Sequence, residues 1–134
     1  MATFVIVDDH KAVRDGLRWL LEVEPAFSVV GESATGSGVA ELVDNLRPDV
    51  VILDLLLPDM NGLDVLCNLG ERTQQTRVIV LSMHATTESV NSALDCGAQG
   101  YVLKDDGAAE LTRAVHAVLD GRRYLSPVLR RADQ

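Results

Sequence analysis

Val50-Val51-Ile52-Leu53-Asp54 is a short apolar run, rich in β-branched residues, that ends in a carboxylate. Pro58 and the pair Asn61-Gly62 follow it. A run of this kind between turn residues reads as a strand buried on both faces, as in a parallel sheet. Proline and Asn-Gly supply the turn chemistry. Asp54 therefore stands where a buried strand emerges, and open α/β sheets build their sites outside the carboxyl ends of strands. Asp54 alone could be a plain polar terminus. Its meaning depends on what the other strands deliver to the same edge.

Four more strands are expected around it, at Thr3–Val7, from Phe27 to Val30 and ended by Gly31, at Arg77–Ser82, and at Gly100–Leu103. Helices are expected between them from apolar stripes at helical spacing. The first carries Val13, Leu17, Leu20 and Leu21; the second carries Val39, Leu42, Val43 and Leu46 and stops before Pro48. Leu63, Leu66 and Leu69 mark a third, and Val90, Ala93 and Leu94 a fourth with Gly97 as its C-cap. The fifth carries Leu111, Ala114, Val115 and Val118, with Asp106 as N-cap and Gly121 as terminator. Each interval holds one strand, one helix and two short loops. Five such units predict an α/β fold, a flavodoxin-like five-stranded parallel sheet of order 2-1-3-4-5 with helices on both faces. Residues 1–121 form the expected domain, and 122–134 read as a linker.

In that order strands 1, 3, 4 and 5 are neighbours. Their C-terminal ends bring Asp8 and Asp9, Asp54, Ser82 and Lys104 to one rim. Clustered carboxylates repel one another unless a cation lies among them. Oxygen-only donors suit a hard ion, and Mg²⁺ binds a few carboxylates together with water and phosphate oxygens. Lys104 can neutralise a phosphate and Ser82 can donate a hydrogen bond to it. A carboxylate nucleophile beside Mg²⁺ and lysine is the apparatus of aspartyl-phosphate formation. Asp54, between the acid pair and the Ser/Lys side, is the candidate phosphoacceptor. Singly, Asp8 or Asp9 could be helix caps, Lys104 a solvated charge and Ser82 a strand-end hydroxyl; their convergence carries the reading.

The formal net charge of −8 repels a phosphate backbone, so this chain itself is not expected to bind nucleic acid. No apolar run reaches the roughly 18 residues of a membrane span, and a reducing cytoplasm is the expected compartment. Cys67 and Cys96 lie far apart without metal spacing and read as small fillers. His116, Trp19 and Tyr124 read as structural or packing residues.

With these residues placed, the chain resembles a receiver domain of a two-component response regulator. The resemblance rests on Val7-Asp8-Asp9-His10, Leu53-Asp54-Leu55-Leu56-Leu57-Pro58, Asn61-Gly62, Leu81-Ser82 and Gly97 to Lys104. The Asp-Asp-His opening, the Lys104-Asp105 step and the ending Gly121…Tyr124-Leu125-Ser126-Pro127 resemble the NarL/FixJ (LuxR-type) subfamily. The resemblance implies phosphorylation of Asp54 by a sensor histidine kinase or a small phosphodonor. It implies Mg²⁺ held by Asp8, Asp9, Asp54 and the backbone carbonyl of Leu56, with Lys104 pairing with the phosphoryl group. Ser82 would move to that group and Tyr101 would swing inward, a switch rather than an enzyme. Output would run through helix 4, strand 5 and helix 5, with helices 1 and 5 as homodimer surfaces. A helix-turn-helix DNA-binding domain beyond this chain would regulate transcription. Asp105 stands where many receivers have proline, so a cis bond there is not expected. Leu56 and His84 are placed to overhang the phosphoryl group and to set its lifetime.

Three rivals share parts of this pattern. A flavodoxin-type cofactor domain needs a phosphate loop after strand one, where Asp8-Asp9 would repel phosphate. A haloacid-dehalogenase-like phosphatase needs DxD there rather than adjacent aspartates. A stand-alone receiver, or a receiver-like module that binds partners without phosphorylation, is the remaining alternative.

Overall fold

The computed structural model describes residues 1–132. Its centre is a parallel sheet of order β2-β1-β3-β4-β5-β6. The strands are β1 (Ala2–Val7), β2 (Phe27–Ser33), β3 (Val50–Leu53), β4 (Arg77–Ser82), β5 (Gly100–Leu103) and β6 (Tyr124–Leu125). The helices are α1 (Lys11–Glu22), α2 (Val39–Leu46), α3 (Gly62–Leu69), α4 (Thr87–Asp95), α5 (Ala108–Leu119) and α6 (Pro127–Ala132). Single 3₁₀ turns occupy Gly70–Gln74 and Lys104–Asp106.

Every residue of β3 is buried, as its unbroken apolar run requires. Alternate side chains face opposite layers. Val5, Val7, Val51, Leu53, Val78, Val80 and Tyr101 pack with α2, α3 and α4 residues such as Val43, Leu66 and Ala93. Phe4, Ile6, Ile52, Ile79, Leu81 and Val102 pack with Leu17 and Leu21 of α1 and Leu111, Val115 and Val118 of α5. Winding thus reverses between β1 and β3, which is where a crevice opens at the strand ends.

The helix ends bear out two glycine readings. The Gly97 and Ala98 amides donate to the carbonyls of Leu94 and Ala93, and those of Gly121 and Arg122 to Val118 and Ala117. Both are Schellman closures with glycine at positive φ.

Five expectations need correction. Strand two does not end at Gly31: Val29 pairs with Phe4 and Gly31 with Val5, so Val30 bulges out and the strand resumes to Ser33. Asp106 does not cap α5; it closes the 3₁₀ turn, and Gly107 at φ +88 is the cap residue. Residues 122–132 are not a free linker. Tyr124–Leu125 pair with Gly100–Tyr101 as β6, and Leu125 and Leu129 are buried in the α2–α4 layer. Residues 133 and 134 of that segment lie outside the described residues. Trp19 does not pack; it is 73% exposed. Cys67 and Cys96 are joined in a disulfide, their Cα atoms 4.9 Å apart. That geometry lies within the normal disulfide range. The packing of α3 on α4, which spacing along the chain does not reveal, brings them together.

Candidate functional site

Asp8 and Asp54 follow directly from Val7 and Leu53, which are partners in the β1–β3 ladder. The ladder continues one step past the strands: the Asp54 amide donates to Val7 O at 2.9 Å, and the Asp8 amide to Ser33 O at 3.0 Å. Both aspartates are thereby fixed by backbone, and both are buried. Lys104 comes from the end of β5 and its Nζ stands 3.1 Å from Asp8 Oδ2 and 3.1 Å from Asp54 Oδ2. The second Asp54 oxygen, Oδ1, accepts the Leu56 amide at 3.0 Å. Sequence separations of 96 and 50 residues collapse here onto one ammonium group.

Burial alone would lower the Lys104 pKa, but hydrogen bonds and charge from Asp8 and Asp54 outweigh it, so the net shift is upward. The two carboxylates thus favour the charged form of Lys104 despite its burial. The acid side is completed by Asp9, which is exposed, and by His10, whose Nδ1 lies 3.0 Å from Asp9 Oδ1. Donor atoms of Asp8, Asp9, His10 and Asp54 all lie within 4.8 Å of one another. Three carboxylates at that separation fit a hard divalent cation such as Mg²⁺. His10 is less suited, because Mg²⁺ prefers oxygen.

Ser82 is buried at the rim, but its hydroxyl turns into its own loop. It donates to His84 O at 2.9 Å and accepts the His84 amide at 3.3 Å. Tyr101 is fully buried against α4, and its hydroxyl also donates to His84 O, at 3.2 Å. The Tyr101 hydroxyl lies 3.3 Å from Ser89 Oγ, in the first turn of α4. One carbonyl thus receives both hydroxyls. A cleft of about 510 Å³ opens beside them, bordered by Leu56, Met60, Ser82, His84 and Tyr101. The site therefore brings together Asp8, Asp9, Asp54, Lys104 and the Leu56 backbone. Ser82, at the end of β4 between the strands that lead to Asp54 and Lys104, and Tyr101 of β5 are bonded to His84 O instead.

Sequence reasoning passed over three supporting residues. His10 stands beside Asp9 at the acid side without a role that the sequence alone assigns. Arg14 donates to the Asp8 carbonyl at 2.7 Å and to Glu32 at 3.1 Å, and Arg18 also hydrogen-bonds Glu32. The Arg18 hydrogen bond first, then its charge and Arg14, holds the Glu32 carboxyl below the usual range against a smaller effect of burial. The signal available was an Arg-x₃-Arg spacing on α1, four residues apart on one helix face.

A doubly wound sheet with an acid pair after β1, an aspartate after β3 and a lysine after β5 defines a receiver-type site. The comparisons with known proteins agree. Residues 4–116 match the family model of the response regulator receiver domain, and the chain belongs to that family. It is 40% identical over 128 residues to the nitrate/nitrite response regulator protein NarL of Escherichia coli K12, covering 96% of this chain and 59% of that protein. It is 40% identical to the DNA-binding transcriptional activator DevR/DosR of Mycobacterium tuberculosis, covering 93% of this chain and 58% of that protein. Among solved structures, a LuxR-family two-component response regulator from Aurantimonas superposes with a TM-score of 0.92 at 35% identity, covering 98% of this chain and 94% of that one. The chain is thus a receiver domain of the NarL/LuxR type of response regulator, and it spans a little under three-fifths of those two curated relatives. Among the described residues no helix is long and apolar enough to cross a membrane.

Proposed function

We propose that Asp54 is the phosphoacceptor of a phosphorylation switch. The observation that carries this reading is the contact of Lys104 with both Asp8 and Asp54 at the rim of the sheet. An Asp54 oxygen attacks the phosphorus of a sensor kinase's phosphohistidine. As the new P–O bond forms, the P–N bond breaks, and the released imidazole takes up a proton from solvent. With acetyl phosphate as donor, a P–O bond breaks instead and acetate leaves. Asp8, Asp9, Asp54 and the Leu56 carbonyl would hold Mg²⁺. Bound there, the ion supplies positive charge against the phosphate oxygens. Lys104 exchanges part of its contact with Asp54 for the incoming phosphoryl oxygens.

Ser82 then leaves His84 O for the phosphoryl group, and the Tyr101 hydroxyl keeps that carbonyl as its acceptor. Tyr101 is already inward and fully buried while Ser82 holds the same acceptor, so, against the expected swing of Tyr101, the movement in this switch is that of Ser82. Residues 1–121 together with the packed β6 and α6 act as the phosphoacceptor domain, and a DNA-binding domain belongs to the whole protein. That protein regulates transcription in the cytoplasm under a sensor histidine kinase, and α1 and α5 offer a homodimer surface.

Intact mass after incubation with Mg²⁺ and acetyl phosphate tests the acceptor. Wild type should gain one phosphoryl group, dependent on Mg²⁺, and Asp54→Asn should gain none. Failure with this donor and with a cognate kinase would leave a binding module that works without phosphorylation.

A further inference from the structure

We propose that Cys67 and Cys96 are a redox-modification site, a reversible thiol–disulfide pair whose state sets how freely α4 moves. Cys67 lies in the last turn of α3 and is exposed, while Cys96 is the half-buried C-cap of α4. Small thiols and disulfides in solution therefore reach the pair. In a compartment kept reduced by thiol buffers, such bonds are transient or redox-sensing rather than permanent.

The bond has leverage because of what it encloses. The 29-residue separation between the cysteines contains β4 with Ser82 at its end, the loop carrying His84, and all of α4. Non-covalent anchoring of α4 is slight: only Val90 and Ala93 of the helix are buried, whereas α5 buries six residues. At its N-terminal end α4 offers Ser89, which hydrogen-bonds the Thr86 cap and sits beside the Tyr101 hydroxyl. A covalent link from the C-terminal end of α4 to α3 thus holds the helix at the end opposite Tyr101. In the dithiol form that end is held without a covalent bond, by buried Ala93 and Ala98 and by the Gln99 amide on Val78 O.

The chemistry balances with glutathione disulfide as oxidant. The Cys67 thiolate attacks its S–S bond, forming a mixed disulfide and releasing one glutathione thiolate. The Cys96 thiolate then attacks the Cys67 sulfur, closing the Cys67–Cys96 bond and releasing the second glutathione. The cysteines lose two electrons, which reduce the glutathione disulfide. The two protons pass to the released thiolates. Excess reduced glutathione runs the same steps backward.

The test needs no phosphorylation, so its failure is distinct from failure of the Asp54 reading. The wild-type chain and Cys67→Ser are equilibrated in buffers rich in either oxidised or reduced glutathione. Free thiols are alkylated and counted by intact mass, and amide exchange is followed across α4. Wild type should convert fully between disulfide and dithiol. Its α4 amides should exchange at least about tenfold more slowly in the disulfide form, since the tether suppresses local opening. Cys67→Ser should show no dependence on the buffer, and Cys96→Ser serves if that variant fails to fold. Three outcomes overturn the proposal: a pair that stays reduced in excess glutathione disulfide, a pair that stays bonded in excess reduced glutathione, or α4 exchange rates that agree in the two forms.

Discussion

Replacing Gly62 with alanine should lower the melting temperature by about 10 °C and disturb Asp54 as it does so. Gly62 opens α3 just after the Asn61 cap, whose side chain accepts the Leu63 amide. It has no positive φ, so the requirement for glycine is one of space. An added Cβ would stand 2.4 Å from Leu55 Cα, 2.7 Å from Asp54 O and 3.0 Å from Leu55 C. Carbon atoms pack at about 3.5–4.0 Å, so the first contact is more than an ångström too close. Overpacking costs about 1–3 kcal/mol, and backbone atoms cannot rotate aside, which puts this site near about 3. At about 2.1 cal/mol/K per residue, the unfolding entropy of 134 residues converts that into a fall of about 10 °C. The matched control is Gly16→Ala, on exposed α1 with nothing within 4 Å of its Cβ, where helix propensity should raise stability by about 0.5–1 kcal/mol. Thermal unfolding by circular dichroism reads both, and acetyl phosphate labelling of Gly62→Ala should slow. A Gly62→Ala chain that melts with wild type would refute the close-approach argument.

Other outcomes follow from the same contacts. Lys104→Met leaves the buried Asp8 and Asp54 carboxylates facing each other without their cation; urea unfolding at pH 7 without metal should show a loss of about 3 kcal/mol, partly recovered by Mg²⁺. Glu32 has a lowered folded pKa, so its contribution is present above its unfolded value near 4.5 and is lost as pH falls through the folded one. Glu32→Gln should therefore flatten the acid limb of stability against pH below that value, and an unchanged limb would refute the assignment. The disulfide closes a loop of 29 residues, worth about 3.6 kcal/mol on a chain-entropy basis, so reduced and oxidised chains should differ by about that in denaturant unfolding. Leu56 is 64% exposed beside Asp54; Leu56→Asn should shorten the phosphoryl lifetime, and an unchanged decay would remove its proposed role in impeding water.

The sheet was legible because central parallel strands leave little ambiguity. Val50–Leu53 and Val78–Leu81 are apolar throughout and run directly into polar Asp54 and Ser82, so their position and direction can be read together. Asp8, Asp54 and Lys104 followed from strand order alone, since adjacent parallel strands deliver their ends to one edge. What stayed hidden depends on three-dimensional proximity or on elements too short to show a period. β6 is a pair of residues, and its ladder is continued by the Ser126 side chain, which accepts the Leu103 amide. The bulge at Val30 looks like a strand end because glycine follows it. Cys67 and Cys96 meet only after α3 packs beside α4. Ser82 was placed correctly along the chain, but periodicity says nothing about where a hydroxyl turns, and here it turns to His84.

The short sixth strand also bears on how this domain keeps to itself. Without it, β5 would be the border of the sheet, and an unpaired border strand is a template for another chain. The Tyr124 and Ser126 amides occupy the carbonyls of Gln99 and Tyr101, and Ser126 Oγ occupies the Leu103 amide. Cutting the chain at Gly121 would free all three of those groups and uncover the apolar surface beneath Leu125 and Leu129. A fragment ending there should self-associate in sedimentation or light scattering while one ending at 132 stays dispersed. Residues 122–132 are thus a guard on the border of the sheet.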